Sequence, residues 1–233
     1  ESADDMSTIL ANYERDNPGV KINYQKQSHR DYRERLQTAL ASGNGPDIFR
    51  FHASWSPMLH TELAPMPSSI YSSSSYKDTF YPVASSQLTI NGQLYGIPLM
   101  YDGLVLYYNR GIFETAGVEP PTTWAELRTL AKKLTVKSSS GIERGGLAIG
   151  NATNVDHFSD ILAVLMLQNG AELDDPNSPE TRDALLFYTN FIKADGVWSD
   201  TLPTSTVAFA RGEAAMIFAP SWRAHEIKSI NPD

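Results

Sequence analysis

Apolar positions recur at helical spacing from residue 6 to 17, where Met6, Ile9, Leu10 and Tyr13 share one face and Asn17-Pro18-Gly19 closes the element. Residues 20–24 then alternate as a half-buried strand does. A second helix over 31–41 ends at Ser42-Gly43-Asn44-Gly45-Pro46, and residues 47–51 read as another strand. Helix, strand, helix, strand predicts parallel crossovers in an α/β layer structure. Residues 54–86 are rich in Ser and Pro. Trp55, Leu59, Leu63, Tyr71, Tyr76, Phe80 and Tyr81 interrupt them at intervals that predict an ordered excursion rather than a flexible linker.

The segment from Asn91 organises the rest of the chain. Residues 87–90 and 93–95 flank Asn91-Gly92, a pair suited to a two-residue type I′ hairpin turn. Residues 96–108 form one extended apolar run with a single acid, Asp102. Gly117 and Pro120-Pro121 end a short helical turn, and Thr123 with Glu126 reads as a capping box that opens a helix over 123–134. Beyond it come a polar loop at 136–146 and a short buried strand at 147–150. Residues 156–169, apolar nearly all round, predict an interior helix, and 178–194 an amphipathic one. Residues 207–212 lead into a strand at 214–218, with Ala219-Pro220-Ser221-Trp222 after it.

With 233 residues, the chain is long enough for one large or two small domains with a proper core. A net charge of −8 without a basic cluster argues against nucleic acid. The absence of Cys removes thiol catalysis, thiolate metal sites and disulfides, and no apolar run reaches the length that spans a bilayer. The five histidines, His29, His52, His60, His157 and His225, belong to no HExxH pattern. Neither a nucleophile elbow nor a phosphate loop occurs. Asp174-Asp175-Pro176-Asn177 lacks the spacing of a calcium loop and reads as a turn. No catalytic residue, metal site or cofactor is expected.

The run NGQLYGIPLMYDGLVLYYNRGIFETAGVEPPTTWAEL, with NPGVKINY and ALASGNGPDI before it and FARGEAAMIFAPSW after it, closely resembles the sugar-type extracellular solute-binding proteins of ABC importers. The resemblance covers nearly the whole chain. It implies an α/β, two-lobe periplasmic-binding-protein type II fold, here incomplete. The first lobe, 1–103, would lack its usual opening strand, and the second, 104–233, would stop before the return crossover. The lobes would hinge at about Gly103. The implied function is capture of a sugar or oligosaccharide outside the cytoplasmic membrane, in the periplasm or on a lipid anchor at the outer face. The captured sugar would pass to the transmembrane subunits of an ABC permease, with the binding protein a monomer and no bond broken. The same fold binding a polyamine or peptide, a carbohydrate-active enzyme, and a non-transporting protein of this fold stay open as alternatives.

Sugars present hydroxyls at their edges and C–H patches on their faces, and so call for planar polar groups and aromatic rings. By resemblance, Asp102 is the sugar-binding acid at the crossover, with a salt bridge as its alternative. Tyr101 beside it is a further contact. Trp222 matches a stacking aromatic of the second lobe, the alternative being a core Trp. Trp55 and His52 occupy a loop at the cleft edge, where a capping His and a surface-packed Trp would serve equally. Asn154 and His157, with Asp156, come after the 147–150 strand, where helix capping is the other reading. Closure would hold the ligand between Asp102 and Trp55 on one side and Trp222 on the other. Trp124 and Trp198 are assigned to structure.

Overall fold

The computed structural model describes residues 3–28 and 30–232. They fall into two compact units, Glu1–Leu99 and Met100–Asp233.

Unit 1 is mostly helical. It contains α1 (Ala3–Asp16), α2 (Tyr32–Ala41), a 3-10 turn (Ala53–Trp55), α3 (Ser56–Leu59), α4 (Ser73–Thr79) and α5 (Pro82–Leu88). The hairpin of β1 (Thr89–Ile90) and β2 (Gln93–Leu94) comes next. Its turn carries positive φ at Asn91 (51°) and Gly92 (78°), as a type I′ turn requires. The 54–86 excursion is ordered: Tyr71, Tyr76 and Phe80 stack with centroids 4.7–5.8 Å apart, and Tyr76 donates its hydroxyl to the Gly96 carbonyl at 3.0 Å. The question of an opening strand falls partly outside the described residues; from Ala3 onward the chain is helical.

Two expectations for unit 1 need correction. Residues 20–24 and 47–51 are not strands, because no neighbouring strand among the described residues supplies their hydrogen bonds. Ile48 is left 89% exposed. Without those ladders the expected parallel crossovers are not formed, and the amphipathic α1 buries no side chain.

Unit 2 holds the main core. Its elements are β3 (Leu104–Tyr108), α6 (Arg110–Ala116), α7 (Trp124–Leu134), β4 (Val136–Ser138), β5 (Gly141–Arg144), α8 (Phe158–Gln168), α9 (Pro179–Lys193), α10 (Ser205–Ala210), β6 (Met216–Pro220) and α11 (Arg223–Ile230). β6 pairs antiparallel with β3, Leu104 opposite Pro220 and Tyr108 opposite Met216. On its other side, parallel bridges join Gly145 to Ala214 and Ala148 to Ile217. β6 is therefore central, and Met216, Ile217 and Ala219 are buried with Leu147, Ile149 and Phe191. Gly145 and Gly146 are needed by close approach: a Cβ on the first would meet the Trp198 ring, and one on the second would overlap the Ala131 carbonyl.

Two local signals of unit 2 are realised as read: Thr123 and Glu126 form a reciprocal capping box, and Gly117 closes α6 at φ 60°. The structure adds that Asn109 caps α6 through Ile112 N. Other readings change. The run 96–108 is a strand only over Leu104–Tyr108, since no ladder reaches 96–103. The polar loop at 136–146 contains the β4–β5 hairpin. Within 147–150, pairing is confined to one bridge, although the run is buried. Helix α8 is interior on one side only: Ile161 and Leu165 are buried, while Phe158 and Leu167 are exposed.

Candidate functional site

The sheet of unit 2 explains why residues far apart in sequence meet. β6 and the run through Ala148 are parallel, so both end on the same edge, where they deliver Trp222 and the 150–157 loop. β3 is antiparallel to β6 and begins where β6 ends, which places Asp102 on that same edge. Ligands of layered sheets gather at such carboxyl ends, because the loops leaving them converge.

Asp102 holds the β6–α11 connection. Its Oδ1 accepts from Ser221 N at 3.1 Å and from Gly103 N at 2.7 Å, and its Oδ2 accepts from Trp222 N at 3.4 Å. Desolvation pushes its pKa up, but the hydrogen bonds from Ser221, Gly103 and Trp222 outweigh it and the carboxyl titrates below its ordinary range. Neither reading made from sequence anticipated this arrangement. Among the described residues its contacts are backbone N–H groups rather than a salt bridge, and it is hydrogen-bonded to the loop that carries Trp222. Tyr107 fixes the same loop from β3, its hydroxyl within 3.1 Å of Pro220 O and 2.9 Å of Ser221 O.

Trp222 itself is 48% exposed, not a core residue. The Arg223 guanidinium lies 4.6 Å from the centre of its ring, and the His157 ring meets it edge-on at 5.7 Å. Arg223 donates from Nε to His157 Nε2 at 3.0 Å, and from a terminal nitrogen to the Glu226 carboxylate. His157 Nε2 is therefore a bare acceptor, and Nδ1 faces the Asp160 carboxylate at 3.5 Å. The His157 backbone is left-handed (φ 59°), a conformation that costs a non-glycine residue about 1–3 kcal/mol and that gathers at functional sites.

Asn154 does not join this group. Only 7% exposed, it donates to Ser199 O and Leu202 O, both at 2.9 Å, and accepts from Trp198 Nε1 at 2.9 Å. With those groups committed to the interior, its assignment to a ligand is withdrawn. Asp156 caps a helix, but α10 rather than the one it precedes in sequence. It accepts from Thr206 N at 3.0 Å and Thr206 Oγ1 at 2.6 Å, bonds that lower its pKa against the opposing effect of desolvation. Trp124 and Trp198 are structural: the first donates to Gln168 and packs on Phe187 and Phe218, and the second is buried. Tyr101 is exposed beside Asp102, in the stretch that forms no strand.

In unit 1, His52 starts the 3-10 turn with its Nδ1 2.7 Å from Ser54 Oγ and 3.3 Å from Ser54 N, so its capping role is realised. Trp55 is half-buried, with the rings of His52 and Tyr32 at 6.4 and 6.3 Å. Sequence reasoning missed Arg223 and Tyr107. The cue for Arg223 was a cationic residue directly after an aromatic candidate; Tyr107 gave none, being one tyrosine among eleven.

Among the described residues no group of three side chains has the makings of a metal site, and no helix is long and apolar enough to cross a membrane. The geometry offers a fixed, exposed aromatic plane with polar neighbours at its rim.

A family profile described as "Bacterial extracellular solute-binding protein" matches residues 8–233. The multiple sugar-binding protein of Streptococcus mutans is 25% identical, the alignment covering 97% of this chain and 56% of that protein. An ABC transporter solute-binding protein from Thermotoga lettingae, solved with α-D-tagatose, is 25% identical with a TM-score of 0.75 over 99% of this chain and 62% of that one. The ABC substrate-binding protein of Listeria monocytogenes, in complex with cycloalternan, is 26% identical with a TM-score of 0.75 over 94% and 59%. The chain thus spans about half the length of the curated relatives it matches.

Proposed function

Since the chain belongs to the bacterial extracellular solute-binding protein family, we propose that it captures a sugar or oligosaccharide outside the cytoplasmic membrane and passes it to an ABC permease. The protein acts as a monomer, in the periplasm or on a lipid anchor, and performs no chemistry on its ligand. Trp222 is the observation that carries the reading. It is an exposed indole whose backbone N–H is held by Asp102, on a loop that Tyr107 holds at the Ser221 carbonyl, and it offers the plane that the C–H face of a sugar requires. The sugars named for the relatives from Streptococcus, Thermotoga and Listeria support the same ligand class.

His157 lies at the rim of this plane, and Tyr101 flanks Asp102. In unit 1, Trp55 and His52 remain the proposed contributors. The lobe boundary near Gly103 is likewise kept as a proposal. A polyamine is the weaker reading, because a cation already occupies one side of the Trp222 ring and Asp102 is engaged by backbone N–H groups.

Titration calorimetry against mono- and oligosaccharides, with spermidine and a short peptide alongside, tests the proposal. Saturable binding of a sugar that disappears in Trp222→Ala supports it. Binding of spermidine or peptide alone overturns the ligand class.

A further inference from the structure

Clamping the backbone of Trp222 does not by itself fix its ring. A half-exposed indole on a loop keeps two side-chain torsions, and a ring free to swing offers a sugar no settled plane. The second constraint comes from the next residue. The Arg223 guanidinium covers the ring at 4.6 Å and is itself held at two points, Nε on His157 and a terminal nitrogen on Glu226. Its side chain is 20% exposed, and that of His157 is 16% exposed.

Resting on the functional reading above, we propose that Arg223 is a positioning residue for the ligand platform. Held by His157 and Glu226 against one face of Trp222, it fixes the indole so that the opposite face receives an uncharged sugar ring. The constraint begins at α8, whose first turn sets His157 in its left-handed conformation, and passes through Arg223 to the ring. The cation also makes the platform selective, since a second positive charge on the far side of the same ring would meet like-charge repulsion.

The link depends on His157 Nε2 accepting from Arg223 Nε.

Fluorine NMR of protein labelled with 5-fluorotryptophan reads the ring directly, with Trp222 assigned from the Trp222→Phe spectrum. The Trp222 signal reports the guanidinium that covers its ring. In Arg223→Met it takes a new position, and in His157→Leu, which removes the Nε2 acceptor, it moves in the same direction with Arg223 still present. Sugar affinity in Arg223→Met falls about tenfold at an unchanged unfolding midpoint. A Trp222 signal in Arg223→Met that overlays the parent signal overturns the proposal. If no sugar binds the parent protein, the functional reading fails, and the fluorine spectra still decide whether Arg223 sets the ring.

Discussion

Asp102 and Trp222, 120 positions apart in sequence, are joined by a hydrogen bond of 3.4 Å from the Trp222 backbone N–H to the Asp102 carboxylate. No side chain of its own sequence caps α11 at Trp222, so Asp102 supplies from the start of β3 what a local cap would otherwise give. The negative charge also sits favourably against the positive end of that helix.

Asp102→Ala should therefore act on the loop before it acts on any ligand. The freed Ser221 and Trp222 amides should lose protection in hydrogen exchange, at a cost of about 1 kcal/mol as for other lost caps. Asp102→Asn keeps one acceptor and should fall between the two. Because the folded carboxyl titrates below its ordinary range, its contribution is complete above the unfolded Asp pKa of about 3.9. It disappears only as pH falls through the lower folded value. Amide exchange that is unchanged in Asp102→Ala would refute the clamp.

Asn154→Ala should cost about 2–4 kcal/mol in urea unfolding, because it takes away the Asn154 partner of the Trp198 indole N–H and of the Leu202 carbonyl and leaves the Ser199 carbonyl only the Leu202 N–H. Ligand affinity of the folded protein should be unchanged. A marked loss of affinity without loss of stability would return Asn154 to the binding site.

Asp195, 7% exposed at its side chain, receives Arg128 Nε at 2.5 Å and a terminal nitrogen at 3.0 Å, tying α7 to the segment just after α9. Arg128→Met should destabilise by about 2 kcal/mol, since it leaves a largely buried carboxylate with only Lys132 at 3.8 Å. The hydrogen bond from Arg128 lowers the Asp195 pKa, so this stabilisation is present above about pH 4 and is lost as pH falls through the folded value. Urea midpoints measured from pH 7 to pH 3 should converge for parent and Arg128→Met at the acid end.

In unit 1, burial pushes the Tyr76 phenol up to about 12. The neutral hydroxyl stabilises the fold below the unfolded Tyr pKa of about 10, and that contribution is lost as pH rises through about 12. Ultraviolet titration should find Tyr76 and, in unit 2, Tyr188 ionising well above the other tyrosines, and Tyr76→Phe should remove one of the two at a cost of about 1 kcal/mol.

The elements legible in the sequence were those whose cause is local. Asn91-Gly92 specifies its own turn, and Thr123 and Glu126 satisfy one another within a single helical turn. Residues 20–24 and 47–51 have the alternation of strands, yet a strand is completed by a partner that its own sequence does not name. The site divides in the same way. Trp222 was legible as an aromatic in a Pro-containing loop after a strand. The Asp102 carboxylate could not be assigned to backbone N–H groups until β3 was seen to start where β6 ends. Asn154 and His157 have similar settings in sequence, and only the fold sends one inward and the other to the rim.

The pairing of β3 with β6 also governs the order in which unit 2 forms. Tyr107 and Pro220 are 113 positions apart, so the central strand has no antiparallel neighbour until nearly all of the intervening chain has been made and drawn together. The β4–β5 hairpin and the capped helices α6 and α7 close over short spans and are free to form early. The edge that carries Trp222 is then the last part of the unit to acquire its shape, and the slowest step of refolding should be the arrival of β6.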